Sequence, residues 1–112
     1  MGLITRMFTG ADGKTHFEDL DLQQHPELLE KMKAESISFR VSRPGGAMNF
    51  HTAPRRQFVI TLSGQGEIGL EDGTKMICGP GHVNLVEDTT GGGHTTRVVG
   101  DEPRVTVTIP LA

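Results

Sequence analysis

The chain contains no tryptophan and no tyrosine, and only five phenylalanines among 112 residues. Sugar-stacking modules and single-strand nucleic-acid platforms both rest on flat aromatic side chains, so both are disfavoured. Cysteine occurs once, at Cys78, which excludes an internal disulfide. No apolar run approaches the roughly 18 residues that a membrane span needs. The N-terminal MGLITRMFTG lacks a basic region followed by a long apolar stretch, so no secretory leader is expected. Gly2 is not followed by an acylation signal, because position 6 is Arg6 rather than Ser or Thr. Basic residues are not in excess either: 11 Lys and Arg stand against 14 Asp and Glu, for a net charge of −3. That gives no electrostatic footprint for nucleic acid. A cytoplasmic protein with no membrane partner is the simplest expectation, with Cys78 a small buried group in a strand.

What the chain has in plenty is glycine, 15 residues in all, about twice the average usage of roughly 7%. Its length suits one domain with one core. Glycine-rich clusters punctuate short β-prone runs from Ser36 onward: Ser36–Val41, Ala47–His51, Gln57–Leu62, Gly66–Leu70, Lys75–Cys78, Val83–Val86, His94–Val99 and Arg104–Ile109. Short strands at this spacing indicate an all-β sandwich or barrel over residues 36–112. Residues 1–35 read as an N-terminal arm, with two extended pieces, Leu3–Phe8 and His16–Leu22, joined by the turn sequence GADGK. The arm is expected to pair with a sheet edge of its own chain or of a partner. One short helix of about two turns is expected from His25 to Met32, opened by Pro26 and Glu27.

Side-chain alternation along strands sets expectations for the interior. If His51 points in, so do Asn49 and Ala47. If Gln57 points in, so do Val59 and Thr61. Met48, Phe50, Phe58, Ile60 and Leu62 then face outward. An apolar patch of that size calls for a cover, either a second subunit or the arm, and a homodimer is the expected assembly.

The segment GGAMNFHTAPRRQFVITLSG, Gly45 to Gly64, carries the most chemical information. It resembles the first metal motif of the cupin family. That motif runs glycine, five residues, His, one residue, His, three or four residues, Glu, six residues, glycine. Gly45, His51 and Gly64 keep register, while Ala53 stands at the second His and Gln57 at the Glu. The family's second motif is matched in its turn by Gly73 and Gly79-Pro80-Gly81, but Asn84 occupies the His position. A later stretch, Asp88-Thr89-Thr90-Gly91-Gly92-Gly93-His94, is similar to one in small cupins and offers His94 from a shifted position. The resemblance runs from about Arg43 to Leu111.

The resemblance implies a jelly-roll, or double-stranded β-barrel, with a pocket lined by His51, Gln57 and His94, and with Asn49, Ala53, Thr61 and Thr96 nearby. It implies dioxygenase or isomerase chemistry on a small polar metabolite, with His51 and His94 as catalytic residues and a divalent metal (zinc, iron, nickel or manganese) on His51, Gln57 and His94. Imidazole suits zinc, iron, nickel and copper, but an oxygenase-type facial triad needs an acid, which Gln57 does not supply and Glu87 or Asp88 would. Without metal, a neutral histidine serves as general base near neutral pH. Asn49, Arg55, Thr61 and Thr96 are the candidate substrate contacts. Arg55, Arg56 and Arg97 are candidate anion contacts, or else surface charges paired with acids. His16, His25 and His82 read as surface histidines. The lost ligands equally suit a barrel that binds or senses a small ligand without catalysis.

Overall fold

The structure, a computed structural model, describes residues 2–112. Ten strands account for most of them: β1 (Ile4–Thr9), β2 (Thr15–Asp19), β3 (Ser38–Ser42), β4 (Ala47–His51), β5 (Gln57–Ser63), β6 (Gln65–Gly69), β7 (Lys75–Cys78), β8 (Val83–Glu87), β9 (His94–Val99) and β10 (Arg104–Pro110). They form a six-stranded sheet in the order β2-β1-β8-β5-β10-β3 and a four-stranded sheet in the order β4-β9-β6-β7. All pairings are antiparallel except β1 with β8. The arm therefore does not stand apart from the barrel: β1 pairs with β8 and β2 adds an edge beyond it.

The two sheets face each other over a small apolar core of Met7, Ala53, Ile68, Met76, Cys78 and Val86, with Phe17 and Val59 packed against it. Cys78 lies buried in β7, and burial pushes its thiol pKa up to about 11. It is a packing residue rather than a nucleophile.

The expected helix is instead a single 3₁₀ turn, Pro26–Leu29. Pro26 and the acid Glu27 sit where a helix start wants them, but His25 gives no side-chain cap and Glu30 is already extended. None of the turn's residues is buried. Most helical stability comes from packing an apolar face, and this segment has no complete face to pack. It still has a structural task. Leu22, Leu28 and Met32 border an apolar groove with Phe58, Ile60 and Ile109 of the large sheet. The arm thus shields part of the outward apolar set. Phe58 and Ile60 are half-buried beside it, while Met48, Phe50 and Leu62 remain exposed. No helix among the described residues is long and apolar enough to cross a membrane.

An ion network fastens the arm to the barrel. Glu87 on β8 accepts bonds from Arg6 Nε and Arg56 Nε, and Arg6 also donates from Nη1 to Glu18 Oε1 on β2 at 2.7 Å. Burial alone would raise the Glu87 carboxyl, but the two arginines outweigh it and hold it below the ordinary glutamate range. A carboxyl depressed in the folded state contributes stability above its unfolded pKa and loses it as pH falls through the folded value. Glu87→Gln is expected to cost about 1 kcal/mol at neutral pH, allowing for the solvent exposure of Arg56. Thermal melts should show a drop of roughly 5 °C, and the gap from the parent protein should begin to close as pH falls through the ordinary glutamate range and vanish below the depressed folded value.

Candidate functional site

A cavity of about 450 Å³ lies between the sheets. Strand alternation delivers its wall: Gln57 and Val59 from β5, Asn84 and Val86 from β8, Thr106 and Thr108 from β10, and His94, Thr96 and Val98 from β9. Met7, Ala53, Pro54, Ile68 and Arg104 line it too, as do residues of β3, of the turn after it and of β4. Both strands are sheet edges with mostly exposed residues, so the cavity opens beside them.

One irregularity decides what β4 contributes. Ala47 lies opposite Arg97 and Met48 opposite Thr96, but His51 lies opposite His94. Three steps along β4 therefore match two along β9, which is a one-residue β-bulge. The bulge breaks the period-two rule on which the expected orientations rest. Met48 joins His51 in the lining, and Asn49 does not line the cavity. Asn49 acts instead on its neighbours. Its side chain accepts the Phe50 N–H at 2.9 Å, and its carbonyl accepts from His51 Nδ1 at 2.8 Å.

The two cavity histidines have their ring centroids 4.4 Å apart, with planes inclined at 57°. Both are oriented from behind. A carbonyl can only accept, so His51 Nδ1 carries the proton that it gives to Asn49. His94 Nδ1 lies 2.5 Å from Oδ2 of Asp88, an acceptor when ionised, so it too is the protonated nitrogen. In each ring the remaining nitrogen, Nε2, is the one left free of these bonds. Asp88 is completely buried and His94 is 5% exposed. The same Asp88 oxygen accepts a bond from Thr15 Oγ1 at 3.0 Å, whereas Oδ1 has no partner.

The sequence around His94 allows this closeness. Gly93 has φ +75°, a left-handed backbone conformation that favours glycine. A Cβ placed there would stand 2.2 Å from the His51 carbonyl oxygen. Only the absence of a side chain lets β4 and β9 meet with both imidazoles side by side.

Of the residues singled out from sequence, His51, Ala53, Gln57, His94 and Thr96 share the cavity wall. Thr61 is fully buried and accepts a bond from Arg104 Nη2 at 3.1 Å, rather than lining the cavity. Arg55 is paired with Glu35, Arg56 with Glu87 and Arg97 with Glu67, all as surface ion pairs outside the lining. The arginines that do line it are Arg40, Arg43 and Arg104. His82, expected at the surface, is buried, with Nε2 3.1 Å from Thr5 Oγ1. Burial, and then the nearby Arg104 charge, lower its pKa. Of the two acids beside the glycine loop, Glu87 turns out to its arginines and Asp88 turns in to His94.

No protein-family model matches the chain, and no curated protein matches it. Solved structures do. A predicted oxalate decarboxylase from Thermotoga maritima is 15% identical, with a TM-score of 0.52 over 98% of this chain and 94% of that one. A dTDP-6-deoxy-D-glucose-3,5-epimerase from Legionella pneumophila, in complex with dTDP-4-keto-L-rhamnose, is 13% identical, with a TM-score of 0.53 over 95% of this chain and 63% of that one. A cupin 2 conserved barrel domain protein from Leptotrichia buccalis is 16% identical, with a TM-score of 0.51 over 86% of this chain and 48% of that one. The chain thus spans about half the length of this last relative. At such identities the likeness is one of architecture alone, and it agrees with the two facing sheets and the glycine-marked turns: the chain has a cupin-type fold.

Proposed function

We propose that the barrel is a small-molecule enzyme of the isomerase type, in which His94 moves a proton on a small polar metabolite held in the cavity. The observation that carries this reading is the fully buried Asp88 carboxylate on His94 Nδ1. A carboxylate behind an imidazole fixes its tautomer and stabilises the imidazolium that forms when Nε2 takes a proton. His51, fixed by Asn49, sets its ring beside that of His94 and is suited to accept from or relay to the same substrate. Gln57 and Thr96 supply hydrogen bonds for orientation. One fold neighbour is an epimerase and another a predicted decarboxylase of a small acid, which is support by analogy of architecture.

A divalent metal on His51, Gln57 and His94 is a second cofactor reading, and these residues suit it poorly. Two neutral imidazoles and a neutral amide leave the charge of the ion uncompensated. No group of three or more His, Cys, Asp or Glu among the described residues is arranged to hold a metal ion. The cavity wall carries three arginines and no acid, which repels a cation. Dialysed protein is therefore expected to retain far less than stoichiometric zinc, iron, nickel or manganese by elemental analysis. Stoichiometric metal that disappears in His51→Ala would reverse this reading.

The proton-transfer reading is tested in D₂O. A panel of small oxo and hydroxy metabolites, followed by mass spectrometry, should show deuterium wash-in that falls by at least about 100-fold in His94→Asn. Asp88→Asn should lose most of it, and ¹⁵N spectra should show the His94 tautomer no longer fixed. Binding of a metabolite without any exchange would leave a non-catalytic binding or sensing barrel, the competing function.

We further propose a homodimer of cytoplasmic protein. Phe39 and Val41 on β3 are both 69% exposed, and Leu62 is exposed two strands away on the same sheet. Light scattering should give twice the chain mass, shifting toward monomer in Phe39→Glu.

A further inference from the structure

Arg104 opens β10 and is 8% exposed. Its guanidinium makes a single side-chain hydrogen bond, from Nη2 to Thr61, and its Nε has no acceptor. It forms no ion pair among the described residues. The group lies flat against β6, where a Cβ on Gly66 would stand 2.6 Å from its Cζ and Nε and 2.8 Å from its Nη1. Burial pulls its pKa below the ordinary arginine value, and no carboxylate acts to restore it. A guanidinium remains charged at neutral pH all the same. The structure therefore holds a buried cation without a counter-ion in the wall of the cavity.

Buried charges are ordinarily paired, because leaving one unpaired is expensive. Other features of the same cavity have the same sign. Arg40 and Arg43 stand at its mouth, also without ion-pair partners among the described residues, and no Asp or Glu lines it. This occurs in a chain whose net charge is −3, so the basic lining is local rather than a general property of the surface.

We infer that Arg104 anchors the carboxylate of a small organic acid, which is the missing counter-ion of the cavity. The inference rests on reading the cavity as a small-molecule site and names the class of molecule it takes. A planar guanidinium matches a carboxylate in shape. One buried positive charge balances one carboxylate, and a second carboxylate on the same acid can extend to Arg40 and Arg43 at the mouth, whereas both charges of a phosphate sit on one centre and would be held together beside Arg104 among Met7, Val59, Ile68 and Val98. The exposed Arg40 and Arg43 are in place to attract the anion and to meet a second acid group. Gly66 acts as a positioning residue, since any larger side chain would displace the guanidinium.

The test is an amide-shift titration of the protein with pyruvate and malonate, beside the neutral pyruvamide and malonamide and inorganic phosphate. At least one of the two acids should shift the Ile68, Val98 and Thr106 amides saturably, and its amide should bind at least about tenfold more weakly. Arg104→Gln should lose at least about tenfold in acid affinity, Arg104→Lys less, and Arg40→Ala should act mainly on the salt dependence. The melting temperature of Arg104→Gln without ligand should hold or rise, because an unpaired charge has been removed. The inference fails if neither acid binds at tens of millimolar, if phosphate binds as tightly as the acids, or if Arg104→Gln unfolds while Arg104→Lys binds the acid and its amide alike. Acid binding that needs Arg104 but shows no His94-dependent deuterium exchange would keep the carboxylate site and end the enzyme reading. Exchange on a neutral substrate, indifferent to Arg104, would do the opposite.

Discussion

Burying the Asp88 carboxylate between two sheets obliges separate parts of the chain to come to it. Its side chain takes a hydroxyl from Thr15 on β2 and the ring N–H of His94 on β9, and its main-chain carbonyl takes the N–H of Ala53. An ionised carboxylate removed from water without such donors would cost of the order of several kcal/mol. The same three bonds join the arm, the four-stranded sheet and the loop after β4. They also determine which imidazole nitrogen meets the cavity. Fold closure and site chemistry thus share one set of contacts.

The neighbouring acid shows how finely a strand divides labour. Glu87 and Asp88 are adjacent, and alternation sends them to opposite faces. Outside, Glu87 gathers Arg6 and Arg56 and fastens the arm. Inside, Asp88 serves His94. Neither side chain can take the other's place, because the outer carboxylate has two cations to neutralise and the inner one has an imidazole to orient.

Much of this architecture is legible in the sequence, and the reasons are local. Glycine clusters mark where the chain must reverse, so β4, β7 and β9 run over the very residues expected of them. His51 and His94, the first suggested by motif spacing and the second by a similar stretch at a shifted position, stand side by side on β4 and β9. Other features depend on contacts that no local pattern records. The bulge before His51 exchanges Met48 for Asn49 in the lining, and only the register against β9 reveals it. His82 follows a turn and resembles a surface residue, yet β1 covers it through Thr5. Arg104 begins a strand behind a Pro-containing turn, where an arginine suggests solvent, and its burial against Gly66 joins residues far apart in sequence. The 3₁₀ turn at Pro26–Leu29 has good end signals and no buried face, and burial decides the outcome.

The mouth strands β3 and β4 carry few buried side chains, and each pairs on one side only. The hydrophobic cluster that holds the sheets together contains no residue from either strand. Substitutions there can remodel the entrance with little penalty to folding, whereas changes near Asp88 or Gly93 disturb the framework itself. Selectivity and robustness are thereby largely uncoupled: apart from His51, the entrance strands can change what the cavity admits while the contacts around Asp88 that hold the sheets together stay as they are.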